Sequence, residues 1–154
     1  MAVYFFDSSA VVKRYLDETG TSWVNRVTDL ASGAQVYLAR ITLIEVISAI
    51  TRKARGVGLS ATGAAIAIAG FRRDFIEEYV LVELTQPLIE RAADLAEFHA
   101  LRGYDAVQLA AALEVNLDRV WLGLPAITLI SADAALNAAA IREGLAVDDP
   151  NSHP

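Results

Sequence analysis

Four apolar residues, Val3-Tyr4-Phe5-Phe6, run unbroken near the start of the chain and stop on a carboxylate, Asp7. The run is rich in bulky β-formers and too short for a helix. It reads as a strand buried on both faces, the kind found in parallel sheets. Asp7 then stands at the carboxyl end of that strand, the end beyond which open α/β sheets build their sites. The same pattern recurs down the chain. Residues 35–39, 79–84, 126–130 and 145–147 read as further strands, separated by helical patterns over 8–17, 21–33, 42–55, 60–79, 87–102, from 105 onward, and 131–143. Trp23, Val24, Val27 and Leu30 form the expected inner face of the second helix. Residues 116–125 read as a loop or frayed helix end. Strands alternating with helices predict a parallel sheet covered on both faces. With no repeat or linker in view, the expectation is one domain over 1–148 and a tail over 149–154.

Composition narrows what such a fold can do. The chain has 154 residues and no cysteine, so thiolate metal sites and thiol nucleophiles are excluded. No apolar run reaches the eighteen or so residues of a membrane span, and no basic start precedes a secretory segment, so a cytoplasmic protein is expected. A formal charge of −6 argues against a protein that coats nucleic acid through a broad basic face. Local basic patches remain at Arg52, Lys53 and Arg55, and at Arg72 with Arg73. Neither a P-loop nor G-x-G-x-x-G nor G-x-S-x-G is present, and Gly56-Val57-Gly58 follows a helix and reads as a turn.

Acids remain. Asp7 follows the first strand, Glu45 the second and Asp133 the fourth, while Asp105 opens a helix; parallel strands would project the first three from one edge of the sheet. A plainer reading competes, because each acid also lies in the first turn of a helix, where a carboxylate is favoured by about 0.3–1 kcal/mol. Thr42-Leu43-Ile44-Glu45 matches a capping box, Ser131 is placed to cap the helix holding Asp133, and Asp105 to cap its own. If the four converge instead, two carboxylates about 4 Å apart repel by roughly 4 kcal/mol at an effective dielectric of 20. A divalent cation relieves that conflict. All-oxygen donors point to Mg²⁺ or Mn²⁺ rather than Zn²⁺, and such ions suit hydrolysis of a phosphodiester.

With these residues in hand, the chain resembles the PIN-domain family, and closely the VapC-type toxins of toxin–antitoxin pairs. The resemblance covers about residues 3–147. It is carried by Phe6-Asp7-Ser8-Ser9-Ala10-Val11-Val12-Lys13, Thr42-Leu43-Ile44-Glu45-Val46, Tyr104-Asp105-Ala106-Val107-Gln108-Leu109-Ala110 and Ser131-Ala132-Asp133. It implies a PIN-like three-layer α/β/α sandwich around a central parallel sheet of four to five strands. It also implies an acidic pocket binding Mg²⁺ or Mn²⁺ for endoribonuclease cleavage. Carried over, Asp7 and Asp105 are the principal metal ligands, Glu45 completes the site or orients the attacking water, and Asp133 contributes through water or a second ion. Ser9 and Ser131 match hydroxyl positions that support these acids. Family members are commonly homodimers silenced by a cognate antitoxin that lays a helix in an apolar groove. Residues 116–125, with Trp121 and Leu122, depart from the family's shorter, more polar segment. The leading expectation is a toxin ribonuclease acting on single-stranded RNA, with Arg52, Lys53, Arg55 and Arg102 guiding the substrate. The alternatives are a PIN nuclease of RNA processing without an antitoxin, and a catalytically silent binding module whose acids only cap helices.

Overall fold

A computed structural model describes residues 1–154. Five parallel strands, β1 (Val3–Phe6), β2 (Gln35–Ala39), β3 (Val80–Val82), β4 (Thr128–Ile130) and β5 (Ala146–Asp148), form one sheet in the order β3-β2-β1-β4-β5. β1 is central, with Phe5 opposite Tyr37 of β2 and Phe6 opposite Ile130 of β4. Successive side chains of a strand point to opposite faces, so Phe5 and Phe6 enter different cores. Val3, Phe5 and Leu129 pack under helices α5 (Gln86–His99), α6 (Gly103–Trp121) and α7 (Ala134–Arg142). Phe6, Leu38 and Ile130 pack under α1 (Ser8–Val11), α2 (Thr21–Thr28), α3 (Thr42–Arg55) and α4 (Ala61–Glu77). This is the expected three-layer sandwich.

The strand order reverses direction between β1 and β4. After β1 the chain turns to the α1–α4 face; after β4 it turns to the α7 face. That divergence opens a crevice at the carboxyl edge of the sheet, where open α/β folds bind ligands. No helix is long and apolar enough to cross a membrane.

Several expected boundaries shift. The helix expected over 8–17 is four residues of α1 followed by a tight 3-10 turn, Val12–Arg14. Leu30, expected inward, is 75% exposed, because α2 ends at Thr28 and the following 3-10 turn swings it out. Residues 116–121, expected as a loop or frayed helix end, continue α6 as regular helix to Trp121. Buried Val115 and Arg119 hold that extension, the Arg119 Nε–H donating to the Pro125 carbonyl at 2.8 Å. Residues 149–154 are docked rather than trailing. Pro150 is buried, the His153 ring stacks on Trp23 at 4.3 Å, and Gly20 (φ +87°) passes so close to Pro150 that a Cβ there would lie 2.2 Å from its carbonyl oxygen. Only glycine serves at that approach.

Candidate active site

Asp7 sits where β1 ends, its amide still in the sheet through a 3.1 Å bond to the Ile130 carbonyl. Its backbone is extended, so the side chain folds forward over α1 and caps it, Oδ1 accepting from the Ala10 amide at 3.0 Å. The Ser9 hydroxyl donates to Oδ1 at 2.7 Å, and the Ser131 hydroxyl, from the far side of the crevice, donates to Oδ2 at 2.9 Å. Ser9 Oγ in turn accepts from the Ala132 amide at 2.9 Å. The two serines expected to support the acids therefore tie the β1 and β4 ends together through Asp7.

Glu45 does not make the expected capping box. Ile41 occupies the N-cap position with helical backbone (φ −63°, ψ −23°), which places Thr42 inside the helix, where it cannot cap. The carboxylate is thereby free to reach the crevice. Its Oε2 accepts from the Ser8 hydroxyl at 3.0 Å and its Oε1 from the Gln108 amide at 2.7 Å. Asp105 does not cap α6 either: the N-cap is Arg102, which makes no capping bond, and Asp105 lies two residues inside the helix start. Asp133, not Ser131, caps α7, with Oδ1 accepting from the Leu136 amide at 2.8 Å. Capping thus accounts for Asp7 and Asp133 in part and for Glu45 and Asp105 not at all.

All four acids line one cleft of about 500 Å³, together with Ser8, Ser9, Arg102, Gly103 and Tyr104. Burial pushes the Asp7 carboxyl up to about 7, against the hydrogen bonds from Ser9, Ser131 and Ala10, with the charge of Glu45 adding to the rise. Burial also raises Glu45, helped by Asp105 and opposed by Gln108 and Ser8. Asp105 is raised by burial and by Asp133, against Arg102. The cleft's cation is Arg102, 3.7 Å from both Asp105 and Asp133 with its side chain 86% in solvent.

No three of these carboxylates close into a chelating group. The donor set nonetheless fits a hard divalent ion. It is all carboxylate and hydroxyl oxygen, and both histidines are engaged elsewhere, His99 with Glu143 and His153 with Asp148. Mg²⁺ characteristically takes one or two carboxylates and keeps its waters, which needs no tight cage.

The basic residues sort differently from their sequence order. Arg52 and Arg55 line a second groove with Arg72 of α4, beside Leu43, Ile44 and Ile47. Lys53 turns away to Glu18 at 3.7 Å. Arg73, next to Arg72, is taken by Asp74 at 2.8 Å. A connecting groove is lined by Ser8, Ser9, Glu45 and Tyr104, shared with the cleft, and by Ile44, Ser48 and Arg52, shared with the arginine groove, so cleft and arginines form one track. Sequence reasoning missed Ser8, Tyr104 and Gln108, and set Arg72 beside Arg73 rather than with Arg52 and Arg55. Gln108 had a signal, a lone amide in an apolar helical run, whereas Arg72 joins Arg52 and Arg55 only through the packing of α4 on α3.

The PIN domain family matches residues 4–142. Ribonuclease VapC45 of Mycobacterium tuberculosis is 38% identical over 116 residues, 75% of this chain and 78% of its own. Among solved structures, Mycobacterium tuberculosis VapC20, a sarcin–ricin loop cleaving toxin, superposes with a TM-score of 0.63 at 18% identity, covering 90% of this chain and 95% of that one. A toxin–antitoxin complex from Klebsiella pneumoniae gives 0.60 at 17% identity over 96% and 97%.

Proposed function

The chain belongs to the PIN-domain family, with the VapC-type members, and from that premise we propose that it is a metal-dependent endoribonuclease acting as the toxin of a toxin–antitoxin pair. The observation that carries this reading is the convergence of Asp7, Glu45, Asp105 and Asp133 on one cleft at the β1/β4 crevice, two of them without any capping role. In this reading Asp7 and Asp105 are the principal ligands that would hold Mg²⁺ or Mn²⁺, and Glu45 and Asp133 complete the site. When bound, such an ion offsets charge on the phosphodiester and activates water for in-line attack. The chain's own part is to hold the four carboxylates apart yet directed into one space, and Ser9 and Ser131 fix Asp7 for that purpose. Glu45, held above the ordinary carboxylate range by burial, is suited to orient and accept a proton from the attacking water.

RNA is the substrate class that the relatives' names support. Arg52, Arg55 and Arg72 offer guanidinium groups to a phosphate backbone entering along the connected groove, and Arg102 meets it at the acids. Tyr104, 54% exposed at the rim, offers a stacking face for an unpaired base, which favours single-stranded RNA. Lys53 has no part in this track. An antitoxin partner is supported by the toxin–antitoxin neighbour; a homodimeric assembly in the cytoplasm completes the reading. The one competing observation, that Asp7 and Asp133 cap helices, favours a silent binding module. Mn²⁺ titration of the wild type and of Asp7→Asn with Asp105→Asn, with RNA cleavage followed in parallel, separates the two. Saturable binding and cleavage that both vanish in the variant support the nuclease, and no binding in the wild type sinks it.

A further inference from the structure

The inner face of α6 is apolar except at Gln108 and, near the helix end, Arg119. Gln108 is 1% exposed. Burying an amide is unfavourable unless its groups are paired, and here the pairing is lopsided. Nε2 donates both its hydrogens, to Glu45 Oε1 at 2.7 Å and to Thr42 Oγ1 at 2.9 Å, while Oε1 is buried with no protein donor in reach. A residue kept only to fill space between α3 and α6 would be Leu or Met, with nothing left unpaired. Turning the amide over would set its oxygen against the Glu45 carboxylate, acceptor to acceptor, so the orientation is locked.

The bond also joins two layers. α3 packs on one face of the sheet through Val46 and Ile50, α6 on the other through Leu109 and Leu113. They meet beyond the carboxyl edge of β1, where Thr42 and Glu45, three apart on α3, face Gln108. Asp105 precedes Gln108 by three on α6 and shares its side of that helix. Glu45 is gripped from both sides, its second oxygen by Ser8 at 3.0 Å.

We propose that Gln108 is a positioning residue: it holds the Glu45 carboxylate at a set distance from Asp105 and so keeps the α3 and α6 walls of the cleft in register for the nuclease reading on which this inference rests. The test is Gln108→Met, close in volume and unable to donate. Its crystal structure shows the Glu45 carboxylate swung from its place. Mn²⁺ affinity and kcat fall about 10- to 100-fold, the usual cost of losing a partner that orients a metal-binding side chain, with KM for RNA little changed. Adding Gln108→Met to Glu45→Ala produces no further loss of Mn²⁺ affinity, because the amide acts through Glu45. The proposal is overturned if Glu45 stays in place and Mn²⁺ binding is unaltered, or if the loss is as large in the Glu45→Ala background, which would mark a merely structural role. Should Gln108→Met not fold, Gln108→Asn, polar but too short to reach Glu45, carries the same readouts. A wild type that cleaves no RNA removes the nuclease reading alone, since the position of Glu45 is read in the crystal without substrate.

Discussion

Two groups of acids lie in this molecule's interior, and they are built on opposite principles. At the end of α4, Asp74 accepts from the Tyr15 hydroxyl at 2.9 Å and pairs with Arg73 at 2.8 Å, while Arg14 pairs with Glu78 at 2.7 Å and donates to the Tyr79 hydroxyl at 2.8 Å. Every carboxylate there has a guanidinium beside it. In the cleft, Asp7 and Glu45 receive hydrogen bonds only from neutral donors, serine hydroxyls, a glutamine amide and a backbone amide, and the one arginine nearby stands mostly in water. Burial of an acid therefore does not by itself distinguish chemistry from architecture. The presence of an internal countercharge does: the α4 cluster is complete as it stands, whereas the cleft is short of positive charge.

The largest test of that contrast is Asp7→Asn. It keeps the shape and removes the charge, so RNA cleavage should drop about 10²–10⁴-fold, while the melting temperature at pH 8 holds or rises, since a buried uncompensated charge has gone. Loss of folding instead of activity would make Asp7 an architectural acid like Asp74. Next comes pH. Asp7 keeps its proton to about pH 7 in the fold and to 3.8 when unfolded. The native state thus binds the extra proton between those values, and metal-free stability should decline as pH rises across that window, by on the order of 4 kcal/mol once Asp7 is ionised. Urea denaturation from pH 4 to 8 without divalent ions reads the slope; Asp7→Asn should flatten it, and an unchanged slope would mean that Asp7 is not the group that binds the extra proton. Asp74→Ala should do the converse, costing about 1–3 kcal/mol in the same denaturation assay by removing the acceptor of the Tyr15 hydroxyl, with the cleavage rate of the folded fraction unaltered. The smallest effect is expected at an arginine locked into neither cluster. Arg55→Ala should weaken RNA binding only a few-fold and reduce the salt slope by about one phosphate contact, with no change in melting.

Most of the fold was legible because its strands are short apolar runs of β-formers bounded by polar residues and glycine, and Phe6-Asp7 marks where the central one stops. Three of the four cleft acids, Asp7, Glu45 and Asp133, were legible for the same reason, as residues following strands, whereas Asp105 opens a helix and was legible only through the family resemblance. Their local roles were not. Whether Glu45 caps a helix depends on the backbone of Ile41, which no side-chain pattern reports, and a single helical residue there turns a capping box into a cleft wall. The run of α6 through 116–121 was not fully legible, because its polar and apolar residues lack a clean period and so read equally as loop or fraying helix end; tertiary contacts of Arg119 and Val115 decide it. The Arg52–Arg55–Arg72 track was half legible. Neighbours in sequence, Lys53 and Arg73, point elsewhere, and the missing member comes from another helix.

The bond from Ser131 to Asp7 spans 124 positions of the chain. During synthesis β1 and its aspartate leave the ribosome well before the strand that walls the crevice, with Ser131 just past its end. A nascent chain, however much of its early half has folded, presents Asp7 on an unfinished edge with no opposing lip. The cleft is assembled late by construction: a protein that would cut RNA stays unarmed until the segment 124 positions beyond its first acid has been made.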